Sequence, residues 1–306
     1  PLVWLGLPYP SQQLFHAALG WIAVAVLLLR SPFTTLTKVL VVASYYVAYE
    51  YAIIARSYVL TVLLMFLVAT WYSSRQERPL RYAVVLALLF NANVHGAILA
   101  AILAAFFIAE RPRTRSWATG VGIIAAGALA AWAQLRTAPD APFPDVVRLV
   151  IPLSAWQALG AAFFPGQPAT PSAIASITLL VLLAASLRAH LSAARFLLLA
   201  VPALLALYAF VWFGGFRHAG LIFLCAIVSV WLAGNVRRTA VSATAAVLLH
   251  LSLVVSALFT YRMSVADVKM AFSGSREMGE FIREHALDGH PIAAHNLHQT
   301  EAVLPW

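Results

Sequence analysis

Long apolar runs separated by short polar punctuation dominate the chain. A membrane-crossing helix needs about 20 mostly apolar residues to match a hydrocarbon core ~30 Å thick. Runs of that kind lie at 14–30, 117–136, 172–187, 196–213, 219–234 and 239–260. Two further stretches are interrupted. Residues 39–72 would form a helix of about 51 Å if continuous, but Glu50, Arg56 and Ser57 break the apolar pattern. The pattern predicts two short spans, 39–54 and 58–72, joined by a turn. Residues 82–109 would span about 42 Å and carry Asn91-Ala92-Asn93-Val94-His95-Gly96 in the middle. Two half-length helices or a re-entrant hairpin are predicted there, because non-helical backbone at membrane depth must be buried by protein. The expected fold class is an all-α polytopic membrane domain over 1–260 with ten hydrophobic segments, some short or re-entrant. A small α/β-like extracytoplasmic tail is expected over 261–306.

Composition agrees with that pattern. Hydrophobic residues make up 62% of the 306 positions and charged ones 10%, against roughly a quarter charged in ordinary soluble domains. The formal net charge is +9, which raises the question of a nucleic-acid partner. Such a partner needs a clustered basic face, and here single basic residues punctuate apolar runs, so the bilayer is the expected partner and nucleic acid is not. Loops 30–38, 73–81, 110–115, 188–195 and 235–238 hold 12 of the 20 basic residues and only Glu77 and Glu110 as acids. The positive-inside rule places those loops in the cytoplasm. By parity residues 1–13, the 50–58 turn, residues 91–96, loop 137–171, residues 214–218 and the tail lie outside. This parity holds only if 82–109 is broken at its centre. Eighteen Arg against two Lys, Lys38 and Lys269, with abundant Ala point to a bacterial source, so a multi-pass protein of a bacterial inner membrane is expected. The single cysteine, Cys225, excludes an internal disulfide and a multi-cysteine metal site.

Polar groups at span ends are candidate functional residues in a membrane protein. Tyr49-Glu50-Tyr51 through Arg56-Ser57-Tyr58 puts a carboxylate and a guanidinium at the outer ends of adjoining helices. Glu50 is a candidate to orient or deprotonate a hydroxyl or to bind a metal, and Arg56 to pair with a phosphate. The competing reading is a Glu50–Arg56 ion pair anchoring the turn, with the tyrosines in the interfacial belt. In the second cluster, Asn91 and Asn93 either cap freed backbone groups or, with His95, face a substrate. The third cluster, Phe213-Gly214-Gly215-Phe216-Arg217-His218, supplies Arg217 as a phosphate candidate with His218 beside it; its alternative is interfacial snorkelling. His250, near the middle of the last span, is expected to be a neutral interhelical hydrogen-bonding partner.

Loop 137–171 is rich in proline and carries Trp156, Phe163 and Phe164, consistent with a connector or a lid lying partly along the membrane surface. In the tail, Ser273-Gly274-Ser275 offers an N-cap for a helix over 276–287, followed by a short strand over 291–295. The spacing of His285, His290, His295 and His298 matches no metal signature, so no metal ligand is assigned.

Pro1-Leu2-Val3-Trp4 with the following Leu5-Gly6-Leu7-Pro8-Tyr9-Pro10-Ser11 resembles the end of the first external loop in bacterial C-type (GT-C) membrane glycosyltransferases, relatives of protein mannosyltransferases and lipid A aminoarabinose transferases. Arg56-Ser57-Tyr58-Val59-Leu60 is similar to their Arg-x-Tyr-x-Leu span start. Asn91–Gly96 and Arg217-His218-Ala219-Gly220 are similar to blocks in uncharacterised members. The resemblance implies inverting transfer of a sugar from a polyprenyl-phosphate donor at the outer membrane face, with or without a divalent metal as cofactor. It also implies an Asp base upstream of Pro1, making the chain an N-terminally truncated piece in which Glu50 stands as a second catalytic carboxylate. Arg56, Tyr58, Asn93, His95, Arg217 and His218 are then the substrate- or phosphate-binding residues. The alternative is a non-enzymatic transporter or flippase for a lipid-linked or small solute, which should carry ionisable groups near the midplane.

Overall fold

A computed structural model describes residues 10–54, 57–110, 114–135, 151–211, 214–270 and 275–287. Every regular element among the described residues is helical: α1 (Pro10–Arg30), α2 (Thr35–Ala43), a π-helical segment (Tyr45–Glu50), α3 (Tyr58–Trp71), α4 (Pro79–Phe90), α5 (Val94–Ala109), α6 (Arg115–Gln134), α7 (Ile151–Phe163), α8 (Ala169–Ser186), α9 (Leu191–Phe210), α10 (Phe216–Ala233), α11 (Ala240–Lys269) and α12 (Ser275–Glu284). Six of them, α1, α6, α8, α9, α10 and α11, are long and apolar enough to cross a membrane. They coincide with the six uninterrupted runs in the sequence, and the chain is a multi-pass membrane protein. The strand expected over 291–295 lies outside the described residues.

The chain divides into two units, 14–260 and 1–13 with 261–306. In the larger unit α10 is central. Its sequence is apolar on all sides, as expected of a helix surrounded by others, and Ala219 to Ser229 are buried without interruption. Helices α7, α9 and α3 pack around it, and α4 packs on α6. At the α4–α6 crossing a Cβ on Gly127 would fall 2.7 Å from the backbone of Ala87. Such close backbone approach is what small residues permit between membrane helices. Instead of a plain connector, 151–163 forms a helix, and its Ala158, Leu159, Ala162 and Phe163 are buried.

Both interrupted stretches are broken helices whose freed backbone groups are met by side chains. Between α4 and α5 the break occupies residues 91–93. Asn93 accepts from Gly96 N–H at 2.8 Å, capping α5, and donates to Thr61 Oγ1 on α3 at 2.7 Å. Asn91 donates to Gly127 O at 3.0 Å and accepts from Gln134 Nε2 at 2.8 Å, both on α6. The capping reading of the asparagines therefore describes their contacts.

The predicted span 39–54 has a break that the sequence did not announce. Ser44 is extended (φ −63°, ψ 150°) between α2 and the π-helical segment. Two hydroxyls one turn apart on α11 satisfy the interruption: Tyr45 N–H donates to Ser256 Oγ at 2.9 Å, and Thr260 Oγ1 donates to Ala43 O at 2.9 Å. Lower on the same helix pair, Thr37 Oγ1 lies 3.0 Å from His250 Nε2, while His250 Nδ1 lies 2.7 Å from Ala246 O. A carbonyl can only accept, so Nδ1 carries the hydrogen and Nε2 accepts from Thr37. His250 is thus an interhelical hydrogen-bonding partner.

In the smaller unit, the described residues 10–13 and 261–270 are the first residues of α1 and the last of α11, with residue 270 just beyond it. Helix α12 begins with Glu277 in its first turn and ends with Arg283 in its last, complementing the helix dipole. Leu287 N–H to Ile282 O and Ala286 N–H to Arg283 O close the end of α12 in a Schellman motif. Ala286 occupies the left-handed position at φ 52°.

Candidate functional site

Helices α3, α5 and α10 begin at one locality, and their first turns contribute Tyr58, His95 and His218 respectively. The imidazoles of His95 and His218 stack with centroids 5.0 Å apart, and Tyr58 lies 5.9 Å from each. Tyr208, near the end of α9, completes the ring at 5.7 Å from His95 and 5.9 Å from His218. Its hydroxyl donates to His218 O at 3.0 Å. The juxtaposition requires the starts of α3, α5 and α10 and the end of α9 to share one end of the bundle.

His218 is locked. Gly215 N–H donates to its Nδ1 at 2.9 Å, and His218 N–H donates to Gly215 O at 2.9 Å, a reciprocal cap at the start of α10. With Nδ1 accepting, the ring is neutral and Nε2 carries the hydrogen. Arg217 Nε, 3.4 Å from Nε2, is therefore a donor facing a donor and makes edge contact only. The loop before α10 is equally constrained: Ser154 on α7 accepts from Gly214 N–H at 3.2 Å and donates to Tyr208 O at 3.2 Å. A Cβ on Gly214 would sit 2.9 Å from Tyr208 Cβ, so only glycine fits without displacing that tyrosine.

His95 is different. It is 3% exposed, and neither ring nitrogen has a hydrogen-bond partner. Buried polar atoms without partners are rare, and each costs about 1–3 kcal/mol. Its ring faces Tyr58, Tyr208 and His218, so the unmet bonding capacity lies within the cluster.

Glu50 ends the π-helical segment, buried at 7% exposure. Tyr45 donates its hydroxyl to Glu50 Oε2 at 2.7 Å. Ring contacts then lead from this pair to the histidines: Tyr45–Tyr46 at 5.2 Å, Tyr46–Tyr51 at 5.9 Å and Tyr51–Tyr58 at 5.5 Å. The tyrosines are tied to neighbouring helices by Tyr46 OH to Ala161 O at 2.9 Å and Tyr51 OH to Arg217 O at 2.6 Å. Gly220 makes room for them, because a Cβ there would lie 2.3 Å from Tyr46 Cδ1 and 2.5 Å from the Tyr51 hydroxyl. π-Helical turns are uncommon and occur often at functional sites.

The structure thus brings Glu50, Tyr58, His95, Arg217 and His218 into one polar–aromatic cluster. Asn93 lies next to it, but both ends of its amide are engaged in the α5 cap and the Thr61 bond. Arg56 lies outside the described residues. Tyr45 and Tyr208 were not singled out from the sequence: Tyr45 sits inside the predicted span 39–54 directly beside Tyr46, and Tyr208 reads as a single tyrosine near a span end, where aromatic residues are common. Among the described residues no three His, Cys, Asp or Glu side chains converge as metal ligands. The one ion pair among them joins Arg75 and Glu110, at the opposite ends of α3 and α5 from the cluster. No family model matches the chain, and neither curated proteins nor solved structures yield a similar one.

Proposed function

We propose that the cluster binds the phosphate and sugar of a polyprenyl-phosphate donor and that the protein transfers the sugar to an acceptor hydroxyl. The observation that carries this reading is the buried, unpartnered His95 imidazole at a place where three helices begin. Helix starts present unpaired N–H groups and a partial positive charge that favour anions. Arg217 adds a full positive charge that is in no ion pair among the described residues. Flanking aromatic rings supply flat apolar faces, and Glu50 supplies a carboxylate oriented by Tyr45. In the transfer, the acceptor oxygen attacks the anomeric carbon and its proton passes to a carboxylate. The bond from that carbon to the phosphate oxygen breaks, and the electron pair leaves with the phosphate. Arg217 and the helix starts would stabilise the charge that develops there.

Within the same proposal, the six long helices and the four short segments 39–54, 58–72, α4 and α5 make ten passes. The basic loops then face the cytoplasm, and the cluster and tail face outward. Support comes from the shared end occupied by Tyr58, His95, Tyr208 and His218, which is the arrangement that loop parity requires. The test is sugar transfer in proteoliposomes loaded with a polyprenyl-phosphate sugar. Arg217→Gln and Glu50→Gln are each expected to lower turnover at least about tenfold, in line with loss of one charge-stabilising or acid–base group. Wild-type turnover in both variants would remove the assignment.

A further inference from the structure

A groove of 470 Å³ lies between α8, α10 and α11, away from the polar–aromatic cluster. That volume falls in the range of roughly 300–1,000 Å³ seen for small-molecule sites. Leu183, Leu187, Val230, Ala246 and Leu249 form apolar walls, and Arg238 supplies the charged group. We propose that the groove holds one anionic phospholipid, with an acyl chain along the apolar walls and the headgroup phosphate on Arg238.

The charge pattern specifies an anion. Arg238 is exposed and makes no hydrogen bond or ion pair among the described residues. Neither α8 nor α10 contains an acid, and α11 has none before Asp267. Arg188, exposed just beyond the end of α8, adds a second unneutralised cation next to the lining residue Leu187. A lipid is favoured over a soluble anion by what surrounds the groove. Helices α8 and α11 are both long and apolar enough to cross a membrane, and they expose Val181 at 61%, Val247 at 61% and Leu251 at 56%. A groove between two such helices opens sideways into hydrocarbon, where an acyl chain is the abundant apolar occupant. The pairing of basic residues with anionic headgroups follows ordinary membrane electrostatics.

The experiment is native mass spectrometry of the full chain, delipidated in detergent and offered phosphatidylglycerol or phosphatidylcholine with identical acyl chains. Wild type is expected to retain one phosphatidylglycerol and to prefer it over phosphatidylcholine by about fivefold or more, the effect of one cation near a phosphate. Arg238→Gln should lower the ratio about fivefold, leaving at most the contribution of Arg188, whereas Arg195→Gln, a cation outside the groove, should leave it unchanged. Ala246→Trp fills the groove from an exposed position and should release both lipids. Arg238→Gln alters only an exposed side chain, so it decides the outcome even if the tryptophan variant fails to fold. Equal retention of the two lipids by wild type, or an undiminished preference in Arg238→Gln, would overturn the proposal.

Discussion

The broken helix before the π-helical segment depends on two hydroxyls, and removing either should be measurable. Ser256 is 4% exposed and accepts from Tyr45 N–H at 2.9 Å. Because Ser44 is extended, the Tyr45 amide leads away from α2 and has no carbonyl of that helix within reach. Ser256→Ala leaves a buried backbone donor unpaired, a loss of about 1–3 kcal/mol. Interhelical hydrogen bonds in membrane proteins average only ~0.6 kcal/mol and reach ~1.7. The fixed backbone donor places this site at the upper end, near about 1.5 kcal/mol. At about 2–4 °C per kcal/mol, the melting temperature in detergent should fall by about 3–6 °C. Ser252→Ala is the matched control one turn earlier on α11. It is equally buried, but its hydroxyl donates only to Leu249 O of its own helix, so its effect should stay within about 0.5 kcal/mol. Thr260→Val removes the donor to Ala43 O on the other side of the same break, and the double variant should lose less than the sum of the two singles. Equal, small shifts for Ser256→Ala and Ser252→Ala would refute the claim that α11 stabilises the break.

Three further outcomes are expected. Gly220→Ala places a methyl group against Tyr46 and Tyr51; the rings must move, with a loss of about 1–3 kcal/mol, read by thermal melting alongside altered tyrosine fluorescence. Asn93→Ala should cost about 0.5–2 kcal/mol through the lost α5 cap, while Asn93→Asp keeps the capping oxygen and should recover most of it; no recovery would mean that the Thr61 bond matters more than the cap. His250→Leu and Thr37→Val should each lower the melting temperature modestly and together lose no more than one of them alone, because both remove the same bond. A larger, additive loss would assign His250 another role.

How far the sequence alone could be read depended on where the compensating groups lie. The six long spans were legible because each is an uninterrupted apolar run, and the break at 91–93 because Asn91 and Asn93 cannot lie unpartnered in hydrocarbon. The break at Ser44 was not legible: serine is tolerated within a membrane helix, and its compensators Ser256 and Thr260 lie more than 200 positions away in the chain. Helix α7 was obscured by the prolines on both sides of it. In the candidate site, Glu50, His95 and Arg217 stood out as polar groups at apolar span ends. Their convergence with Tyr45 and Tyr208 depends on which helix ends meet, and no local pattern encodes that. The asparagine amide of residue 93 illustrates the converse, a polar group at a span end whose visible bonds are structural.

The central claim is that a phosphate-bearing lipid seats in the cluster at His95 and Arg217. It is tested most directly by equilibrium binding of radiolabelled polyprenyl phosphate to the purified full chain. Wild type should bind saturably, Arg217→Gln should bind at least about tenfold more weakly, and His95→Phe, which keeps the ring and removes both nitrogens, should weaken binding comparably while leaving the melting temperature unchanged or raised. Undiminished binding by both variants at wild-type stability would contradict it.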